Sequence, residues 1–549
     1  MHVLQFAFGR QRFAFVCIAV FIAVLTGCGG GGGSNLPIPG GGSSSGGTGG
    51  VSSDFDQGIF RPAATFKDLC AAPRSGAFPD RVGTAVDEKD WLRAWSHDLY
   101  LWYDEIADSD PGASLSVPEY FDLMKTFATT PSGAPRDQFH FTIDSEEWRR
   151  LSQSGVSAGY GAELALLRNS PPRDILVAFA DVSGPAAQIG QWARGTRILE
   201  VDGVDAINGS GDAAVAALNA GLFPSSAGES HSFRVSDFDG SNERTVTLVS
   251  DDITSDPVPT TMVTTRGAST LGYLLFTDHI APAEARLVDT IDEFRQRGVD
   301  ELVLDLRYNG GGFLDIANEL AYMLVGAAGA GRVFESIEFN DKHPNVNPVT
   351  GAVLIPTEFH TTAQGFSVGS GTPLPTLNLN RVVVLTGPGT CSASESIING
   401  LRGVDVPVVL VGDPTCGKPY GFYATDNCGT TYFTIQFRGA NAKGFGDYAD
   451  GFIPVDGSPA NAAEVAGCRV DDDFSRALGD PGENLFETAL AYLDTGSCPS
   501  PAVSGAQPGA RSAAQKSFDS GATATPDLRL GSPTDTLRLP TLPGRVLRR

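Results

Sequence analysis

In the stretch GTCSASESIINGL (Gly389–Leu401), Ser392 stands where an apolar strand-like run, RVVVLTG (Arg381–Gly387), gives way to a helical pattern. A helix start favours negative charge through its unpaired backbone N–H groups and its dipole. Ser392 is therefore placed as a nucleophile, with the Ala393 N–H directed at a developing oxyanion. The same residues have a plainer use, because Ser392-x-x-Glu395 ahead of an apolar run is a capping box. A serine hydroxyl also needs a base to become reactive. Lys418 follows 26 residues after Ser392, beyond a second apolar run, PVVLVG (Pro407–Gly412). Adjacent parallel strands would bring Ser392 and Lys418 to the same mouth of a sheet. The small and apolar neighbours Gly417, Pro419, Tyr420 and Phe422 favour the neutral amine that a base requires; a surface lysine is the alternative. A third piece, DLRYNGGG (Asp305–Gly312), also ends a strand-like run. Its glycines permit backbone conformations that expose N–H groups, and Gly311 is a candidate second oxyanion donor.

Gly412–Lys418 also fits the G-x-x-x-x-G-K half of a phosphate-binding loop. That loop needs Ser or Thr after the lysine and an opening helix. Here Pro419 takes the hydroxyl position and Tyr420-Gly421 does not continue as a helix, so a nucleotide hydrolase is disfavoured.

The elements that must position these residues lie in 262–498. TLGYLLFT, ELVLDL, RVVVLTG and PVVLVG are apolar runs, separated by helical patterns at Ala281–Arg297 and Ser394–Gly403. Continuous apolar strands alternating with helices predict an α/β core whose mixed or parallel sheet is buried on both faces. Upstream, residues 155–250 read as short strands and turns: GYGAELALL, DILVAFADV and RGTRILEVDG. With the small-residue helix Pro185–Ile189, they resemble a PDZ domain. That resemblance implies that the backbone N–H groups of Gly159, Tyr160 and Gly161 receive a peptide's C-terminal carboxylate while the peptide adds as a strand. A β-rich spacer without a ligand is the alternative. Trp91, Trp95, Leu99 and Trp102 recur at three- and four-residue steps. They predict a largely helical N-terminal domain over 54–150, with this stripe as packing surface.

Arg10 and Arg12 lead into FAFVCIAVFIAVL (Phe13–Leu25) and then Thr-Gly-Cys28, a secretory signal whose ending resembles a bacterial lipobox. It implies cleavage before Cys28, lipidation of that thiol and, with Gly29 next, retention at the outer membrane. Residues 29–53 are a Gly/Ser linker spanning about 28 Å r.m.s., and 499–549 read as a disordered tail. The formal charge of −25 argues against nucleic-acid binding. Six cysteines, Cys70, Cys391, Cys416, Cys428, Cys468 and Cys498, remain after Cys17 and Cys28 are set aside. In an oxidising compartment they predict three disulfides, with Cys416–Cys428 the expected hairpin bridge. No Cys/His spacing argues for a metal.

Taken together and in this order, the motifs resemble the C-terminal processing (tail-specific) serine proteases over about residues 85–495. The resemblance implies a Ser392/Lys418 dyad, an oxyanion site at Ala393 and Gly311, protein substrates taken by their C-termini, and no cofactor. One departure stands out. The family often has Gln four residues after the lysine, whereas this chain has Phe422. A related branch pairs serine with a histidine before the PDZ domain, which makes His140 in RDQFHFT the alternative base and His279 a second option. The competing class is a non-catalytic envelope protein that uses the PDZ groove alone.

Overall fold

A computed structural model describes residues 55–499 and the backbone of a short strand, Gly544–Val546. The expected signal, the Cys28 lipidation site, the linker and nearly all of the tail lie outside the described residues. Among the described residues no helix is long and apolar enough to cross a membrane.

Seven strands form the central sheet in the order Thr260–Arg266, Ser269–Leu275, Glu301–Asp305, Val382–Thr386, Val408–Gly412, Glu464–Cys468, Ile453–Val455. The first pair is antiparallel and every later pair is parallel. Side chains alternate between the faces of a strand, so a strand covered on both faces must be apolar throughout. Val382, Val384, Val408 and Leu410 face one layer, with Leu287, Ile291, Leu320, Ile397 and Leu401 from the helices Ala283–Gln296, Leu314–Val325 and Ala393–Gly403. Val383, Leu385, Val409 and Val411 face the other, against Leu485, Phe486, Ala489 and Leu493 of the helix Asn484–Thr495. The expected mixed α/β core is thus present.

A second sheet flanks the mouth of the first, in the order Gly311–Phe313, Gly544–Val546, Tyr420–Phe422, Phe437–Ala440, Val333–Phe339, Thr357–Glu358. Residues 162–249 build a β-rich unit with its own core, including Leu164, Val177, Ile198, Leu218 and Phe233. Its sheet runs Arg244–Val249, Ser230–Ser236, Arg197–Val201, Asp174–Ala180, Ala162–Arg168, which leaves Ala162–Arg168 as an edge.

The N-terminal segment departs from the largely helical expectation. Ala85–Leu99 is a helix capped by Thr84 and Asp87, and Ser145–Ser154 is another, but between them only Val117–Phe121 is α-helical. Pro111, Pro131 and Pro135 with Gly112 and Gly133 interrupt helical hydrogen bonding there, while Pro118 occupies the first turn of the short helix. Phe141–Asp144 pairs instead with Thr430–Phe433 of the core. Trp91, Trp95 and Leu99 pack with Tyr120, Phe121 and Tyr432, as a packing stripe should, while Trp102 lies past the helix end against Tyr420.

The six cysteines form three disulfides, Cys70–Cys428, Cys391–Cys416 and Cys468–Cys498. The expected Cys416–Cys428 pairing is therefore wrong. Cys428 sits in the tight turn between Thr425–Asn427 and Thr430–Phe433, held on the N-terminal segment, while the Cα of Cys416 lies 5.2 Å from that of Cys391.

Candidate active site

The loop after Val382–Thr386 carries Ser392 to the first turn of Ala393–Gly403 with φ 59° and ψ −110°. For a residue with a Cβ this backbone costs on the order of 1–3 kcal/mol, a strain that persists where surroundings hold it and that collects at functional sites. Those surroundings are the Asp305–Gly312 segment. Cys391 N–H donates to Asn309 C=O at 3.0 Å, Ser394 Oγ donates to the same carbonyl at 3.0 Å, and Thr390 Oγ donates to Leu306 C=O at 2.8 Å. Ser392 is fully buried, and its Oγ has no hydrogen-bond partner among the described residues. Only the glutamate half of the anticipated cap is bonded, with Ser392 N–H donating to Glu395 Oε2 at 2.8 Å.

Gly311 has φ +105°, and a Cβ there would stand 2.9 Å from the Ser392 Cβ and 3.0 Å from the Ala393 nitrogen. Close approach, not turn geometry alone, accounts for this glycine. Gly311 and Ala393 therefore flank Ser392 as the oxyanion reading requires, with one qualification. The Gly311 N–H donates to Asn309 Oδ1 at 2.9 Å. The Asn309 amide nitrogen donates to Phe276 C=O, so Oδ1 is the acceptor for His279 Nδ1–H at 2.9 Å as well. His279 thereby orients Asn309, and burial pushes its pKa down to about 3, so it stays neutral. Gly311→Ala is expected to lower kcat/KM by about 10–100-fold through displacement of Ser392, with the rate of covalent labelling at Ser392 falling in step.

Lys418 lies beyond Val408–Gly412 and is fully buried, its Nζ 4.4 Å from the Phe139 ring centroid and 4.3 Å from that of Phe422. Phe422, which replaces the expected Gln, thus packs on the amine itself. The backbone of the lysine loop is held from elsewhere. Glu395 Oε1 accepts from Thr415 Oγ at 2.6 Å and Gly417 N–H at 2.9 Å, and Oε2 accepts from Lys418 N–H at 2.8 Å. Ser392 N–H donates to the same Oε2, also at 2.8 Å, so the Ser392 and Lys418 backbone nitrogens are at most 2.8 + 2.8 = 5.6 Å apart. Burial raises the Glu395 pKa, and these four donors oppose the rise by favouring the carboxylate. Glu395 was legible in the sequence only as a cap; nothing in the spacing showed that it reaches the lysine loop.

His140, the alternative base of the sequence reading, is buried among partners of its own. Its Nε2 lies 2.8 Å from Phe121 C=O, which can only accept, so Nε2 carries the proton. Nδ1 is then the acceptor for Thr434 Oγ at 3.1 Å. Both nitrogens are committed, the ring stacks on Phe121, and burial pushes the pKa down to about 4.

Beside the β-rich unit, Gly159 pairs with Asp251 in a separate two-stranded sheet, and the Tyr160 carbonyl accepts from Ala186 N–H. Tyr160 Oη donates to Gly221 C=O at 2.9 Å, on the helix Asp212–Leu222, and Gly161 has φ +72°. Arg194 leaves this unit to donate to Tyr308 Oη and Asp472, beside the Asp305–Gly312 segment. Arg307 ties the same segment to Asp472 and Glu483.

Ser392 thus stands at a strained helix start on an α/β core, with glycine backbone on one side and the loop of a buried lysine tied to it by Glu395. Residues 270–422, which contain Gly311, Ser392 and Lys418, match the model of Peptidase family S41. A carboxyl-terminal-processing protease of Picosynechococcus sp. is 26% identical over 284 residues, 51% of this chain and 60% of that protein. The chloroplastic C-terminal processing peptidase of Tetradesmus obliquus is 28% identical over 290 residues, 49% of this chain and 53% of that protein. The chain thus spans a little over half the length of the curated relatives it matches. A crystal structure of a candidate S41 protease from Bacteroides fragilis superposes with a TM-score of 0.53 at 22% identity, covering 77% of this chain and 99% of that one, which shows a shared fold. The family match and the relatives thus show a likeness to S41 and carboxyl-terminal-processing peptidases over the part of the chain that carries Gly311, Ser392 and Lys418.

Proposed function

We propose that the chain is a serine endopeptidase of the cell envelope, working through a Ser392/Lys418 dyad. The observation that carries this reading is the shared Glu395 Oε2, which gathers the backbones of both residues. Lys418 Nζ, as the neutral amine, takes the Ser392 Oγ proton while Oγ attacks a substrate carbonyl. The tetrahedral oxyanion is met by Ala393 N–H and by Gly311 N–H, which turns from Asn309 Oδ1. Lys418 returns the proton to the leaving amine, and water then hydrolyses the acyl-enzyme by the same route. The full burial of Lys418, on a loop tied to the Ser392 backbone, supports its role.

Substrate enters as extended polypeptide. The support is that Gly544–Val546 of this chain lies between Gly311–Phe313 and Tyr420–Phe422, pairing in parallel with both. The 155–250 unit acts as a PDZ-like module that captures C-termini between the edge strand Ala162–Arg168 and the helix Asp212–Leu222, with Gly159, Tyr160 and Gly161 at the carboxylate end. Lipidation at Cys28 anchors the chain to the outer membrane, facing the periplasm. A fluorophosphonate probe is expected to label Ser392, identified by peptide mass spectrometry, and to leave Ser392→Ala unlabelled. A wild-type chain that takes no label and cleaves no unfolded protein would return the reading to a peptide-binding envelope protein.

A further inference from the structure

We propose that the Cys391–Cys416 disulfide is a positioning element of the dyad, so that catalysis is conditional on its oxidation. This rests on the Ser392/Lys418 reading and extends it. The bond joins the residue directly before the nucleophile to the residue two before the base. It closes a 25-residue separation that contains Ser392, the whole helix Ala393–Gly403 and the strand Val408–Gly412. Both halves are fixed to the site: Cys391 N–H donates to Asn309 C=O at 3.0 Å, and Cys416 N–H donates to Thr390 C=O at 3.0 Å. The covalent tie and the Glu395 carboxylate therefore span the same two loops, and Cys416 Sγ lies 3.5 Å from Glu395 Oε2.

The strain at Ser392 gives the clamp its purpose. A positive-φ serine relaxes unless both sides of the helix start are held. Asn309 holds one side. The lysine loop holds the other, through Cys416 and Glu395. Cys391 is buried while Cys416 is partly exposed, so an incoming thiolate reaches the Cys416 side. Reduction by a dithiol transfers two electrons and two protons, giving the Cys391 and Cys416 thiols and the oxidised, cyclic reductant. Residues 413–418 then keep only hydrogen bonds, from Glu395 and from Cys416 N–H to Thr390 C=O, as their ties to the helix start, and Lys418 samples positions out of line with Oγ. The other two disulfides sit elsewhere. Cys70–Cys428 fastens the N-terminal segment to a hairpin, and Cys468–Cys498 ties a sheet strand to the chain beyond the last helix.

The test compares oxidised, dithiothreitol-reduced and reoxidised wild type with Cys391→Ala/Cys416→Ala and Cys468→Ala/Cys498→Ala double variants. Expected for reduced wild type is a fall in kcat of about 10–100-fold with KM changed little, a kcat–pH profile displaced to higher pH, and recovery on reoxidation. Cys391→Ala/Cys416→Ala should match the reduced enzyme and ignore dithiothreitol. Cys468→Ala/Cys498→Ala should stay active and remain sensitive to it. Hydrogen exchange followed by mass spectrometry supplies a readout that needs no turnover, with amides of 413–418 exchanging faster after reduction. Unchanged exchange there overturns the clamp whether or not the chain is a peptidase. So does a reduced wild type that keeps its kcat within twofold. An oxidised chain that shows the exchange difference but neither cleaves nor labels overturns the peptidase reading and the catalytic part of the proposal, leaving a structural bridge.

Discussion

Ser392→Ala and Lys418→Ala are each expected to lower kcat/KM on an unfolded protein by about three orders of magnitude or more, and the double variant by no more than either single change. The reason is that a nucleophile and its base act as one unit, so removing either forfeits the attack and residual turnover comes from oxyanion donors and binding alone. KM should move little, because neither side chain is asked to hold substrate in the ground state. Lys418→Arg should be as impaired as alanine, since a guanidinium stays protonated and cannot accept the Ser392 proton. In wild type, kcat/KM should rise with pH as the amine deprotonates, and this limb should vanish in the residual activity of Lys418→Ala. Steady-state rates across a pH series check all of these. Effects that multiply in the double variant would mean that Ser392 and Lys418 do not share a step.

Much of this site could be read before any coordinates, for a physical reason. Sheet strands buried on both faces leave continuous apolar runs, and the runs at Val382–Thr386 and Val408–Gly412 fix where their C-terminal ends, and so Ser392 and Lys418, must emerge. Glycines forced by close approach also leave a mark, as at Gly311. What escaped were pairings set by tertiary placement. Glu395 satisfies a local capping pattern whether or not it also reaches Thr415, Gly417 and Lys418. Cys416 is nearer in sequence to Cys428 than to Cys391, yet the parallel crossover returns it to the start of the helix it left. Phe422 read as a missing orienting residue, because a sequence cannot show that orientation is supplied through the backbone. The Trp91–Trp102 stripe was legible as packing, but helical periodicity could not be carried past the prolines that follow it.

Glu395→Gln is expected to impair the site almost as severely as Glu395→Ala, although it keeps the size and shape of the side chain. The carboxylate has two oxygens and each accepts two donors: Oε1 from Thr415 Oγ and Gly417 N–H, Oε2 from Ser392 N–H and Lys418 N–H. A carboxamide has one acceptor end. With its NH2 group at the Oε2 position it confronts the buried backbone N–H groups of Ser392 and Lys418, and at the Oε1 position it confronts Gly417 N–H while Thr415 Oγ turns to accept, so at least one backbone donor must move away or lose its partner. Each unsatisfied buried group costs about 1–3 kcal/mol, so the loop carrying Lys418 is expected to separate from the helix start instead. Glu395→Asp, one methylene shorter, retains four acceptor sites and should recover part of the loss. The expected signature is a kcat lowered by about two orders of magnitude with KM largely kept, slower fluorophosphonate labelling of Ser392, and a reduced melting temperature. A purely structural role predicts a different pattern, in which every variant that remains folded at the assay temperature turns over like wild type. If Glu395→Gln does so, then Ser392 and Lys418 are held together by something other than the oxygen they share.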